Sequence, residues 1–128
     1  MTDSIYREFI LDLYRNPLNK KELDNFDLDY SAVNPTCGDE VSVQLKFDSD
    51  GKVGDVGFQG TGCAISIAAV SLITEKVKGM KTEEIASLGL EDIERELGVE
   101  IDCSREKCAA IGLQAIMSAV NKKTQDNV

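Results

Sequence analysis

From Ala64 to Val77 the chain reads AISIAAVSLITEKV, apolar almost all the way round until Thr74-Glu75-Lys76. A helix with an apolar circumference has no face to give to water, so the remaining segments must surround it. That requirement sets the plan of the fold. Gly79 ends this central helix. On its N-terminal side, Val41, Val43, Leu45 and Phe47 alternate with Ser42, Gln44 and Lys46, and Phe26, Leu28, Tyr30 and Ala32 alternate with Asp27, Asp29 and Ser31. Such alternation predicts two strands, each with one apolar and one polar face. Asp48-Ser49-Asp50-Gly51 is a turn, and Val53 to Gln59 is the returning strand of a hairpin.

The other segments predict helices. Ile5, Tyr6, Phe9, Ile10, Leu13 and Tyr14 recur at helical spacing until Asn16-Pro17. Thr82 is placed to cap a short helix running through Ser87, and another spans about Leu90 to Leu97 before Gly98. The last runs from about Ser104 to Lys123, with Leu113, Ile116 and Val120 on one stripe. The expected architecture is α+β, a small three-stranded antiparallel sheet packed against four to five helices, with residues 1–128 as one domain.

Charge and residue usage narrow the chemistry. The net charge is −9. This argues against a nucleic-acid partner, whose affinity rests on Lys and Arg. It suits basic or metal-carrying partners, or simply solubility. Histidine is absent. That removes every Ser-His-Asp, Cys-His and His-metal arrangement. The N-terminus shows no signal-peptide pattern, and no apolar run approaches the roughly 20 residues that span a bilayer. The expected compartment is the reducing cytosol, where cysteines read as metal ligands or reactive thiols rather than structural disulfides.

The four cysteines are Cys37, Cys63, Cys103 and Cys108. Their spacing matches no zinc finger or ferredoxin, so local context carries the argument. Cys37 lies in Asn34-Pro35-Thr36-Cys37-Gly38-Asp39, a tight turn between two strands, with Asp39 bringing a carboxylate close to the thiol. Cys63 lies where Gly60-Thr61-Gly62 leads into the central helix, and a helix N-terminus favours thiolate. The flanking glycines serve a turn or admit a bulky ligand. Cys108 falls in the first or second turn of the last helix, beside Arg105 and Lys107. Set against this is the role of buried cysteine as a small hydrophobe, and Asp39 is equally a turn residue.

These blocks carry a resemblance. Asn34-Pro35-Thr36-Cys37-Gly38-Asp39, Gly60-Thr61-Gly62-Cys63-Ala64-Ile65-Ser66 and Arg105-Glu106-Lys107-Cys108-Ala109 resemble the three signature blocks of the U-type iron–sulfur scaffold family, which includes IscU, SufU and the N-terminal domain of NifU. The resemblance covers nearly the whole chain. It implies that Cys37, Asp39, Cys63 and Cys108 converge at one exposed edge to hold a labile iron–sulfur cluster, commonly [2Fe–2S], or zinc in the same place. It implies a cysteine desulfurase as sulfur donor, Cys108 as candidate persulfide acceptor and apo iron–sulfur proteins as recipients. A carboxylate ligand exchanges more readily than a thiolate, which assigns the lability to Asp39.

The chain departs from the family in two places. Lys107 stands where IscU-type members carry a histidine, and Gly98-Val99-Glu100-Ile101-Asp102 stands where they carry a Pro-Pro-Val-Lys stretch that recruits a dedicated chaperone. Chaperone docking is therefore not expected. Arg105 resembles the SufU pattern, yet the 44 residues between Cys63 and Cys108 leave no room for the longer SufU insertion. Cys103 is an additional thiol: a fourth ligand in place of Asp39 or the histidine, a sulfur relay, or a bystander. The rival readings are a zinc-dependent sulfur acceptor that stimulates a desulfurase, and a purely structural zinc site.

Overall fold

The computed structural model describes residues 2–35 and 38–126, with side chains from residue 6 to 122 except at 36, 37 and 103. Helix α1 (Thr2–Arg15) is followed by three strands, β1 (Leu28–Asn34), β2 (Asp39–Phe47) and β3 (Val53–Thr61). Helices α2 (Ala64–Val77), α3 (Thr82–Ala86) and α4 (Leu90–Leu97) follow. A single 3₁₀ turn (Cys103–Arg105) then leads into α5 (Glu106–Asp126). The strands form one antiparallel sheet in the order β1-β2-β3. Val41 lies opposite Ala32 and Gly60, and Val43 opposite Tyr30 and Phe58.

The alternation in β2 does what it predicts: Val41, Val43 and Leu45 are fully buried. Helix α5 covers β1 and β2, and α2 is enclosed by α1, α4, α5 and β3. Its Ile67, Ala68, Ala69, Val70, Ile73 and Val77 are all 3 % exposed or less, as an apolar circumference demands. Helices α2 and α5 touch at Gly112, where a Cβ would lie 2.5 Å from Val70 Cγ2.

Four sequence expectations need adjustment. β1 starts at Leu28 rather than Phe26, and Tyr30 on this edge strand stays 41 % exposed despite its inward register. The polar sheet face is wet where the Ser31 and Ser42 hydroxyls meet at 2.7 Å, but it is not open throughout. The segment after α1 folds back, placing the Lys21 carbonyl against Gly57 and the Leu23 N–H on Gln44 Oε1 at 2.8 Å. Thr82 is inside α3 rather than capping it. The N-cap is Lys81, whose N–H donates to Glu84 Oε1 at 3.0 Å, because the acid three residues on reaches back more directly than the hydroxyl. Among the described residues no helix is long and apolar enough to cross a membrane.

Candidate functional site

The site is built where β2 begins and where α2 and α5 begin. Gly38 adopts φ +74°, and its N–H donates to the Asn34 carbonyl at 2.8 Å. This left-handed step turns the chain so that Asp39, the first residue of β2, enters the interior. Cys63 is the N-cap of α2, in extended conformation, with no side chain capping the helix. Cys108 occupies the third residue of α5.

These three residues come together. Asp39, Cys63 and Cys108 each offer one donor atom, and those atoms all lie within 4.8 Å of one another. Sulfurs bound at roughly 2.3 Å to a tetrahedral ion sit about 3.8 Å apart, so modest closure brings this trio onto one centre. Neither Cys63 nor Cys108 is in a disulfide. Asp39 is 2 % exposed; its Oδ1 accepts the Cys63 N–H at 3.2 Å. Its Oδ2 is buried without a hydrogen-bond partner among the described residues. A buried carboxylate oxygen in that state is costly unless something electropositive meets it. Two soft sulfurs with one hard oxygen fit iron or zinc better than magnesium or calcium.

The expectation of an exposed edge is corrected in part. Cys63 is half-buried, but Cys108 is only 5 % exposed, covered because α5 starts against the sheet and α2. Among the described residues, Cys63 is therefore the more accessible of the two thiols. Cys37 and the Cys103 side chain lie outside the described residues, so the trio is a part of the expected set. Arg105 and Lys107 are exposed. Gly62 is not an opening for a ligand. A Cβ there would lie 2.5 Å from Ser66 Oγ and 2.8 Å from Asp39 Oδ1, so the glycine is needed for close packing beneath Cys63. Ser66 itself was only a motif letter in the sequence. Its position three residues after the N-cap cysteine is the signal that places its hydroxyl there.

The opposite end of α2 is quite different. Asn19, at φ +63°, donates through Nδ2 to Thr74 Oγ1 at 3.1 Å and Glu75 Oε2 at 3.0 Å, and accepts from Lys78 Nζ at 2.7 Å. Its carbonyl accepts the Phe58 N–H. The hydrogen bonds from Asn19 and then Lys78 hold the Glu75 carboxyl below its ordinary pKa. For Asp55 slight burial pushes upward, but the contacts with Lys21 and the Val56 N–H outweigh it and the pKa is lowered.

A mixed sheet-and-helix domain that gathers two thiols and a carboxylate at the head of its central helix presents a donor set of the kind that suits iron or zinc. The comparisons name the family. Residues 5–127 match the model of the NifU-like N terminal domain, and the chain belongs to that family. It is 36 % identical, over 98 % of its length and 95 % of the relative's, to the zinc-dependent sulfurtransferase SufU of Bacillus subtilis. It is 34 % identical, over 90 % of its length and 91 % of the relative's, to the iron-sulfur cluster assembly scaffold protein IscU of Escherichia coli. Alignment with the Bacillus protein runs to 142 positions, more than this chain has, so that relative carries inserted residues, whereas the IscU alignment spans 118. Among solved structures, a SufU-type scaffold protein from Fervidobacterium islandicum superposes with TM-score 0.76 at 26 % identity, covering 94 % of this chain and 99 % of the other. The expected IscU-like fold is thus the observed one.

Proposed function

We propose that the chain is an iron–sulfur cluster assembly scaffold, working as one domain over residues 1–128. It receives sulfur from a cysteine desulfurase, builds a labile cluster of the [2Fe–2S] type as its cargo, and passes it to apo-proteins in the cytoplasm. The observation that carries this reading is the convergence of Asp39, Cys63 and Cys108 donor atoms within 4.8 Å. Cys37 is proposed to complete the thiolate set, with Cys103 as a further candidate. Asp39, whose Oδ2 has no other described partner, supplies the exchangeable oxygen ligand. Cys108 is the proposed sulfur acceptor. Its thiolate would attack the outer sulfur of the donor's persulfide, forming one S–S bond as another breaks and the donor's thiolate leaves. Its burial requires the donor to approach past Cys63.

Anaerobic incubation with ferrous iron, cysteine and a cysteine desulfurase tests this. The expected outcome is a visible chromophore with acid-labile sulfide, transferable to an apo-ferredoxin. A folded protein that forms none overturns the reading.

The likeness to a zinc-dependent sulfurtransferase favours a second reading, in which the same residues hold zinc and the protein accelerates a desulfurase without building clusters. Zinc that survives reconstitution, together with desulfurase stimulation lost in Cys37→Ala, selects it. A purely structural zinc site predicts unfolding on chelation. The continuous apolar core argues for a fold that survives metal removal.

A further inference from the structure

Ser66 is the residue at the site that the functional reading does not use. It is fully buried, and its hydroxyl oxygen lies 2.9 Å from the Cys63 carbonyl and 3.4 Å from Cys63 Sγ. A hydroxyl has one proton, and across the sulfur contact either Ser66 or the Cys63 thiol can be the donor. Back-bonding from the first turn of a helix to a carbonyl three residues earlier is common, and it accounts for the first contact. It does not account for the second.

The Cys63 carbonyl is already served. It accepts the Ile67 N–H at 3.1 Å. The Ser66 proton can therefore leave that oxygen without orphaning a buried acceptor. Gly62 makes the arrangement compact, because the space its side chain would occupy is taken by Ser66 Oγ and Asp39 Oδ1. Cys63 is thus gripped from two directions, with its N–H held by Asp39 and its sulfur faced by Ser66.

We propose that Ser66 is a positioning residue for Cys63: its hydroxyl turns from the Cys63 carbonyl to the sulfur when that sulfur serves as a metal ligand, fixing the thiolate's orientation and drawing charge from it. This rests on the metal-site reading above. A metal-bound thiolate carries no proton, so the hydroxyl is then the only donor of the pair. Hydrogen bonds to ligand sulfurs are among the protein's levers on metal-centre electronics. Partners behind the ligands typically affect affinity by 10–100-fold.

The test uses cobalt(II) as a coloured stand-in for zinc, titrated anaerobically into the full-length metal-free protein. Wild type, Ser66→Ala and Ser66→Thr are compared, with thermal unfolding of each recorded. A sulfur relieved of its hydrogen bond gives up electrons more easily. The sulfur-to-cobalt charge-transfer band of Ser66→Ala is therefore expected at longer wavelength, with affinity about tenfold weaker. Ser66→Thr keeps the hydroxyl, so its band returns to the wild-type position even if the added methyl lowers Tm. Wild-type band and affinity in Ser66→Ala overturn the proposal and leave Ser66 as a helix-start residue alone. Absence of any thiolate–cobalt band in the folded wild type overturns the metal-site reading and this inference with it.

Discussion

The two ends of α2 treat their polar groups in opposite ways. At the C-terminal end Asn19 ties Thr74, Glu75 and Lys78 into one network, and Lys21 pairs with Asp55 nearby. Groups there satisfy one another. At the N-terminal end the helix has no side-chain cap, Asp39 Oδ2 has no described partner, and two thiols outside any disulfide lie alongside. Burial alone would predict the reverse, since Asp39 is buried and Glu75 exposed. What differs is whether the local groups complete each other's bonding. A closed network contributes stability, whereas an incomplete one costs stability that a ligand can return.

The largest effect expected from this contrast is in metal binding. Loss of a proposed ligand in Cys108→Ala should weaken zinc affinity more than the loss of a supporting group, by over about a hundredfold, with the fold retained. Competition with a chromophoric chelator measures it. Next comes Asn19→Ala, which should lower unfolding free energy by about 1–3 kcal/mol in urea by removing partners of Thr74 and Lys78. Its zinc affinity should stay within about twofold of wild type, since sites this far apart behave independently. Unchanged stability there, or a large loss of zinc, would break the contrast.

A smaller effect separates the two thiols. In the metal-free protein Cys63, half-buried, should be alkylated severalfold faster than Cys108, by peptide mass spectrometry of timed samples. Equal rates would mean that Cys63 is not the more accessible thiol. The smallest effect is acidic. Glu75 and Asp55 have lowered folded-state pKa values, so their contribution is present above the unfolded-state carboxylate values and is lost as pH falls through the folded ones. Both groups are largely solvated, so the loss should be slight and diminished by salt. Urea midpoints at pH 6 and pH 3, with and without added salt, in wild type and Asn19→Ala show whether the Asn19 end contributes to it.

The contrast also marks how far the sequence could be read. The central helix and β2 were legible because one demands cover on all sides and the other alternates without exception. The helix-start setting of Cys63 followed from Gly62 and the apolar run behind it. Asn19 was invisible, since its side-chain partners lie 55 to 59 residues away and a lone Asn between Leu18 and Lys20 has no periodicity to betray it. The covering of Gly57 was hidden for the same reason. Cys108 was expected at an exposed edge through the family resemblance, but in the first turn of α5 Lys107 faces outward while Cys108 is buried. Burial of one residue in a helix depends on what lies across from it, which local composition does not record.

Cys63 heads α2 and Cys108 heads α5, and these two helices are locked together where Val70 fills the notch left by Gly112. The gap between the two sulfurs is therefore gauged by the core, much as the jaws of a caliper are set by its beam. Under the proposed function, a bound centre must match that spacing, because the Gly112–Val70 contact resists sliding of either helix.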